Sequence, residues 1–460
     1  MNDTVGSAEQ SHARLLSWLD ARRPGLAEVR QFHRRRGAHL ALLYAANGTG
    51  TGTGTDVHAG HDPALAAQER SVFKLLGTDE VAALAALDSV EHLDDLLRGF
   101  ATAYDAICQD ADSFSRELTA GSEPVTRFMN ADDRRRQEWM IEAAFAARTG
   151  TVRHWCLATG SAADAGAPDP QRALDQATAV AEVLSALACR DGDRGRVNWL
   201  GLEPWENGQW TVRPAGLGLS HGYSGIALFL AQLGALTGRP EWLELAEAAL
   251  SSAPALVTTL AESPGQLAAI SGGFAGMGGV AYALGRLSVL LDRTDLRLAA
   301  DLASDLAARA GLGDPPVPTH PDLFNDSWCH GLASRAAAGA LDAPDLTIWL
   351  ARLATSPPLS DLTVCHGEFG VLEALAILAG EEPQARATLE RRAARLPDPI
   401  ASGAAFNGTP GAVPTPGFLH GLAGVGYGLL RVAFPETVPS VLTLEDTVAD
   451  GHLAVSEVNP

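Results

Sequence analysis

Residues 219–236 read LSHGYSGIALFLAQLGAL. A short loop ends in Ser220-His221-Gly222, a second glycine stands at 225, and an uncharged run follows. Glycine in such places lets another stretch of backbone come close, as at a tightly wound helix start. A helix apolar on every side is buried on every side. The pattern recurs at Gly273-Phe274-Ala275-Gly276, Gly331-Leu332-Ala333-Ser334, Gly367-Glu368-Phe369-Gly370 and Gly421-Leu422-Ala423-Gly424. From one turn to the next the steps are 51, 58, 36 and 54 residues, and each turn precedes another mostly uncharged run.

Amphipathic segments lie between these runs. Trp242, Leu245, Ala246, Ala249 and Leu250 share one helical face. So do Leu346, Trp349, Leu350 and Leu353, with Pro344 placed for the first turn. Buried and amphipathic helices alternating at a period of about fifty residues predict two concentric layers. The expected fold class is therefore all-α: an α/α toroid, a two-layer helical ring of five recognisable units, with the glycine turns at one end. An open solenoid of helix pairs would leave the inner helices uncovered.

The rest of the chain sets bounds on this reading. Its 460 residues and 48.0 kDa are 46% hydrophobic and 19% charged, a globular composition. Lys+Arg 34 against Asp+Glu 55 gives a net charge of −21, which argues against nucleic acid and anionic membrane surfaces as partners. The stretch 214–238 is uncharged and long enough to span a bilayer. It carries six glycines, however, and similar stretches recur at 263–285 and 410–430, so an inner layer of a ring is the simpler reading. Five cysteines do not make a disulfide framework and suit a reducing compartment. The first thirty residues show no apolar run behind a basic start, so no secretory signal is expected and the location expected is cytoplasmic.

Three regions follow. Residues 1–175 form an irregular helical region, with helices expected at 11–46, 79–88, 91–118 and 132–148. A Gly-Thr tract running to Thr55 reads as a loop, and 159–170 as a linker. Residues 176–443 carry the repeats. Residues 444–460 form an acidic tail.

Two of the turns carry soft ligands just before the glycine: Trp328-Cys329-His330-Gly331 and Val364-Cys365-His366-Gly367. Thiolate and imidazole together suit zinc. In the repeat the two cysteines stand at near-equivalent places, so a ring brings them together. Cys329, Cys365 and His366 leave a fourth position open, the pattern of a catalytic zinc, and a thiol taking that position would lose its proton. The chemistry this points to is activation of a substrate thiol. His330 is the alternative to His366, and two buried apolar cysteines are the alternative to a metal site. His221 and His420 precede the glycines of their own turns and are candidate general acids or bases, or else solvated or capping histidines. Glu368 is expected only to complement a helix N-terminus.

The motifs SWCHG (327–331), VCHG (364–367) and PGFLHGLAGVGYGLLR (416–431) resemble those of the lanthionine synthetase C-like cyclases. So do LGLSHGYSGIALFLAQLGALTGRPEW (217–242), GGFAGMGGVAYALGRL (272–287) and Trp199-Leu200-Gly201-Leu202. The likeness covers roughly 176–443 and is nearest to the cyclase half of class II lanthipeptide synthetases. It implies a zinc enzyme that adds a peptide cysteine thiol to dehydroalanine or dehydrobutyrine, making thioether rings in a ribosomally made precursor peptide. The zinc ligands it implies are Cys329, Cys365 and His366.

The sequence departs from that family in two ways. The family ring has two more units, which carry an Asp and an Ala-His-Gly histidine that handle protons. His221, in a Ser-His-Gly turn, is the preferred substitute, with His420 second. Where the family often has an Arg shortly before the Trp-Cys pair, this chain has Phe324-Asn325-Asp326. Residues 1–175 resemble a remnant of a lanthipeptide dehydratase. Thr55, Asp56 and His58 match a Thr-Asp-x-His-x-Glu-Asn motif whose Glu-Asn is replaced by Gly60-His61. No ATP-dependent dehydration is expected, so a separate dehydratase would supply the substrate. The alternative to an active cyclase is an impaired zinc-binding module that holds the peptide.

Overall fold

The computed structural model describes residues 131–149, 169–191, 195–204, 210–262, 273–310, 326–329, 331–359, 361–396 and 409–445. The helices expected at 11–46, 79–88 and 91–118, the Gly-Thr tract and His330 lie outside them. So does the 159–170 linker, except for its last two residues. The chain divides between Thr149 and Gly150 into two units. Helix α1 (Ala131–Thr149) ends the first and covers the helix expected at 132–148. All else described belongs to the second.

That second unit is predominantly helical, as its periodicity predicts. Helix α2 (Pro170–Leu187) starts on Asp169, whose side chain accepts from the Gln171 N–H. Among the described residues, five helices are headed by glycine: α3 (Tyr223–Thr237), α6 (Met277–Leu290), α8 (Leu332–Ala337), α10 (Glu368–Leu378) and α12 (Leu422–Ala433). Helices α3, α10 and α12 are buried on all sides through most of their length. Around them run α4 (Pro240–Leu250), α5 (Ala253–Ala261), α7 (Thr294–Ala310), α9 (Ala343–Thr355) and α11 (Pro383–Ala393). Their buried faces include the predicted ones. Trp242, Leu245, Ala246, Ala249 and Leu250 are buried on α4; Trp349, Leu350 and Leu353 are buried on α9, with Leu346 half-buried.

The glycine-headed helices follow one another around an arc: α6 packs on α3, α3 on α12, α12 on α10 and α10 on α8. The first such helix, α3, thus neighbours the last, α12, and α2 covers both from outside. One core runs through them, from Val180 and Leu184 through Phe229 and Leu284 to Phe369 and Leu430. Two layers of helices around one arc are the architecture expected of an α/α toroid.

Close backbone approach explains the glycines. A Cβ at Gly222, Gly367 or Gly421 would run into the carbonyl of Gly216, Asp361 or Thr415 respectively, each six residues earlier. A Cβ at Gly225, Gly370 or Gly424 would run into the carbonyl of Leu219, Val364 or Phe418. The incoming loop therefore wraps beneath each helix start. The first helical N–H donates to a carbonyl of that loop: Tyr223 to Gly216, Glu368 to Asp361 and Leu422 to Thr415, all at 2.8 Å. The second turn shifts by three residues from the register read in the sequence. Gly276, not Gly273, caps α6, and a Cβ at Gly279 would meet the Phe274 carbonyl. Glycines at three-residue spacing (Gly273, Gly276 and Gly279) make the register ambiguous in one dimension; loop contact decides it.

Two antiparallel hairpins, which helical periodicity does not reveal, precede the first glycine turn. Strand β1 (Cys189–Asp191) pairs with β2 (Arg196–Asn198), and β3 (Leu200–Pro204) with β4 (Trp210–Pro214). Trp199 between them is buried, and its Nε1–H donates to the Leu184 carbonyl of α2. The Leu202 N–H donates to Thr415 Oγ1, fixing the second hairpin to the loop that leads into α12. Of the acidic tail only Leu444 and Glu445 are described; the Glu445 carbonyl accepts from the Tyr282 hydroxyl of α6. Among the described residues, no helix is long and apolar enough to cross a membrane.

Candidate metal centre and histidine pair

The loops ahead of α3, α12, α10 and α8 hydrogen-bond to one another in series. Leu419 N–H donates to the Ser220 carbonyl, Cys365 N–H to the Leu419 carbonyl, and Trp328 N–H to the Cys365 carbonyl. The glycine turns thus lie side by side at one end of the arc. This relay carries Cys329, Cys365 and three histidines into one place.

Cys329, Cys365 and His366 converge. Cys329 Sγ lies 3.2 Å and Cys365 Sγ 3.9 Å from His366 Nε2, and the three donor atoms all lie within 4.8 Å of one another. Ligands of a tetrahedral zinc, with Zn–S of about 2.3 Å and Zn–N of about 2.0 Å, stand about 3.5–3.8 Å apart. The spacing and the donor chemistry both fit such an ion. Cys365 is buried, while Cys329 and His366 are half-buried. Without a cation, the hydrogen bond to Cys329 and then burial push the Cys365 thiol well above its usual range. Burial works to lower the His366 pKa, but the bond to Cys329 and its charge outweigh it, and the net shift is upward. Two thiols and an imidazole at such range are poised to exchange protons for a metal ion.

The two candidate acid–base histidines meet beside this group. His221 Nε2 lies 2.9 Å from His420 Nδ1; the ring planes are 11° apart and the centroids 5.1 Å apart, so the two imidazoles meet end to end, nearly in one plane. His420 also stacks on His366, at 4.9 Å between centroids. His420 therefore touches both His221 and the Cys329–Cys365–His366 group, and Trp210 of β4 lies nearly perpendicular to it, 6.1 Å between centroids. Burial, and then the charge of Arg213, hold His221 well below the usual imidazole range, at about 4. Arg213 pairs at 3.4 Å with Glu203, whose carboxyl burial raises to about 7 against that charge.

Residues 213–312 and 320–443 match the family model of lanthionine synthetase C-like proteins. This region of the chain belongs to that family. No curated protein matches the chain. In the lanthionine synthetase C-like region the five singled-out residues, Cys329, Cys365, His366, His221 and His420, gather at one end of the helical arc.

Glu368 is a correction. Sequence position suggested a carboxylate facing a helix N-terminus. Instead it is fully buried and bidentate to Arg392 of α11, with both N···O distances 2.7 Å, and it accepts from the Leu359 N–H at 2.7 Å. A Glu at the start of a largely apolar helix was the available signal that it needs a buried partner. Nothing in one dimension pointed to Arg392. The hairpin residues Glu203, Trp210 and Arg213 were likewise missed, since they reach the site through a strand pair that helical patterning does not reveal.

Proposed function

We propose that this chain is a zinc-dependent thioether cyclase acting on a precursor peptide dehydrated by a separate enzyme. The observation that carries this reading is the meeting of Cys329, Cys365 and His366 with the His420–His221 pair. In the reaction a cysteine S–H loses its proton, and its sulfur bonds to the β-carbon of dehydroalanine or dehydrobutyrine. The carbon–carbon double bond opens, and the α-carbon takes up a proton.

Cys329, Cys365 and His366 would hold the metal. When bound, zinc supplies a Lewis acid that keeps a substrate thiol deprotonated near neutral pH. The protein's own share is proton handling. Of the two histidines, His420 lies against the ligand group and is the proton carrier. His221 stays neutral because of burial and Arg213. Its Nε2 can therefore accept from His420 Nδ1–H, which fixes the ring orientation of His420 and leaves His420 Nε2 as the nitrogen that gives and takes the proton. Sequence pattern favoured His221 as the acid; the geometry supports the reverse division of labour. Trp210, the end-on contact with His221 and the stack on His366 hold the His420 imidazole in place.

The test is incubation of purified protein with zinc and a chemically dehydrated peptide containing one cysteine. Free thiol should disappear, with no change in mass, faster than in buffer. No acceleration with zinc bound would overturn the reading.

A further inference from the structure

Two ligand turns on different helices must be held at a fixed separation for three donor atoms to share one ion. Outside the donors, a continuous polar chain connects them. Asp326, three residues before Cys329, accepts from Trp349 Nε1 at 2.8 Å and from Arg352 Nη1 at 2.9 Å. Its two oxygens together engage both terminal nitrogens of Arg352. Trp349 and Arg352 lie on α9. At the end of α9 the carbonyls of Leu353 and Ser356 accept from Arg392 Nη1 at 3.1 and 3.2 Å, and Ser356 Oγ lies at 3.2 Å. The other two nitrogens of Arg392 grip Glu368, two residues after His366. Glu368 also takes the Leu359 N–H, ordering the strap between α9 and the Cys365 turn.

The route thus runs from the Cys329 turn through α9 and Arg392 to the Cys365-His366 turn. Its inner half is dry: the Arg392 and Glu368 side chains are 2% and 0% exposed. A buried ion pair is a poor stabiliser, because desolvation offsets its attraction, and apolar replacements of similar size often match it. Its geometric return is larger. A guanidinium fork fixes direction as well as distance, and all three Arg392 nitrogens are engaged here. Apolar side chains packed in the same space would not hold the strap and the α9 terminus in register.

We infer that the Asp326–Arg352 and Glu368–Arg392 pairs, joined through the end of α9, are a positioning clamp that sets the separation of the Cys329 and Cys365-His366 turns for metal binding. The inference rests on the metal reading above. None of the four is among the donor residues Cys329, Cys365 and His366; they are positioning residues.

The experiment measures zinc affinity by chelator competition, and the visible spectrum of the cobalt-substituted protein, in the full chain. The variants are the apolar pair Glu368→Leu/Arg392→Met and, at the wetter end, Asp326→Asn. Thermal unfolding of the zinc-free proteins is the control. The double variant should melt within a few degrees of the parent, yet bind zinc at least tenfold more weakly, with altered cobalt d–d bands. Outer-sphere partners of metal sites typically contribute about 10–100-fold. Asp326→Asn keeps an acceptor for Trp349 and should lose severalfold. It decides the question should the double variant fail to fold. Folded variants with parental affinity and spectrum overturn the clamp alone. A parent that takes up no metal overturns the metal reading, and the clamp with it.

Discussion

His221 Nε2 sits 2.9 Å from His420 Nδ1, although 199 positions separate the two residues in the chain. The contact exists because α3 and α12 are neighbours, so the loops ahead of them bond Ser220 to Leu419. One histidine of the pair reaches the Cys329–Cys365–His366 group and the other backs it. Their substitutions should therefore differ. His420→Asn should slow cyclisation about 10²–10⁴-fold, the usual loss of a positioned acid. His221→Asn should cost less and shift the pH profile, because the tautomer is no longer fixed. Rates at equal zinc occupancy decide it; a larger loss in His221→Asn reverses the assignment.

Glu203 and His221 should pull stability in opposite directions with pH. The Glu203 carboxyl is raised from 4.5 to about 7, so between those values the folded state holds the proton more tightly than the unfolded chain. Its contribution is present below pH 4.5 and lost as pH rises through 7. His221 is lowered from 6.5 to about 4, so its contribution is present above pH 6.5 and lost as pH falls through 4. Compared with the parent, Glu203→Gln should gain in relative stability as pH rises from 4.5 to 7. Across pH 4 to 6.5, His221→Asn should lose relative stability as pH rises. Denaturant unfolding at stepped pH reads both; parallel curves for parent and variants would refute the two shifts.

Metal uptake should release protons. In the zinc-free protein the Cys365 thiol is held well above its usual range by Cys329 and burial. Binding as two thiolates and a neutral imidazole must therefore expel about two protons or more per ion at pH 7. Calorimetry in buffers of different ionisation enthalpy measures that number, and metal analysis should find about one zinc per chain. Cys365→Ala should abolish stoichiometric binding. Full zinc content in that variant would remove it from the ligand set.

What was legible in the sequence follows from what repeats there. Helical period and glycine turns expose the layered helices. Because the turns are equivalent, Cys329 and Cys365 could be placed together without coordinates. Partners that lie on different helices leave no such trace. Arg392 sits on a highly charged outer segment, PQARATLERRA, and reads as solvated, yet it is 1% exposed. Asp326 stands where the resembling family often has an arginine and reads as a loss. In the fold it grips Trp349 and Arg352 and anchors the Cys329 turn. Trp210 and Arg213 reach His420 and His221 through a hairpin whose strands are five residues long, too short to outweigh the helical pattern on either side.

A single added methyl group should disturb both ligand loops. Gly370 lies in the first turn of α10, and a Cβ there would stand 2.5 Å from the Val364 carbonyl and 3.2 Å from Trp328 Cβ. Val364 precedes Cys365 and Trp328 precedes Cys329, so the added carbon would press on the two loops at once. Backbone cannot yield as a flexible side chain does, and overpacking of this kind costs about 1–3 kcal/mol. In a domain of this size that is a fall in Tm of roughly 3–10 °C. Gly370→Ala should therefore melt earlier and bind zinc more than tenfold more weakly. Gly380, just past the far end of α10, has nothing within 4 Å of the place a Cβ would take, and Gly380→Ala should leave both quantities unchanged. Thermal unfolding and zinc competition on the two variants separate the cases. A Gly370→Ala protein with parental Tm and affinity would show that the loops ahead of α8 and α10 tolerate displacement, and that the donor atoms are not held by the helix start.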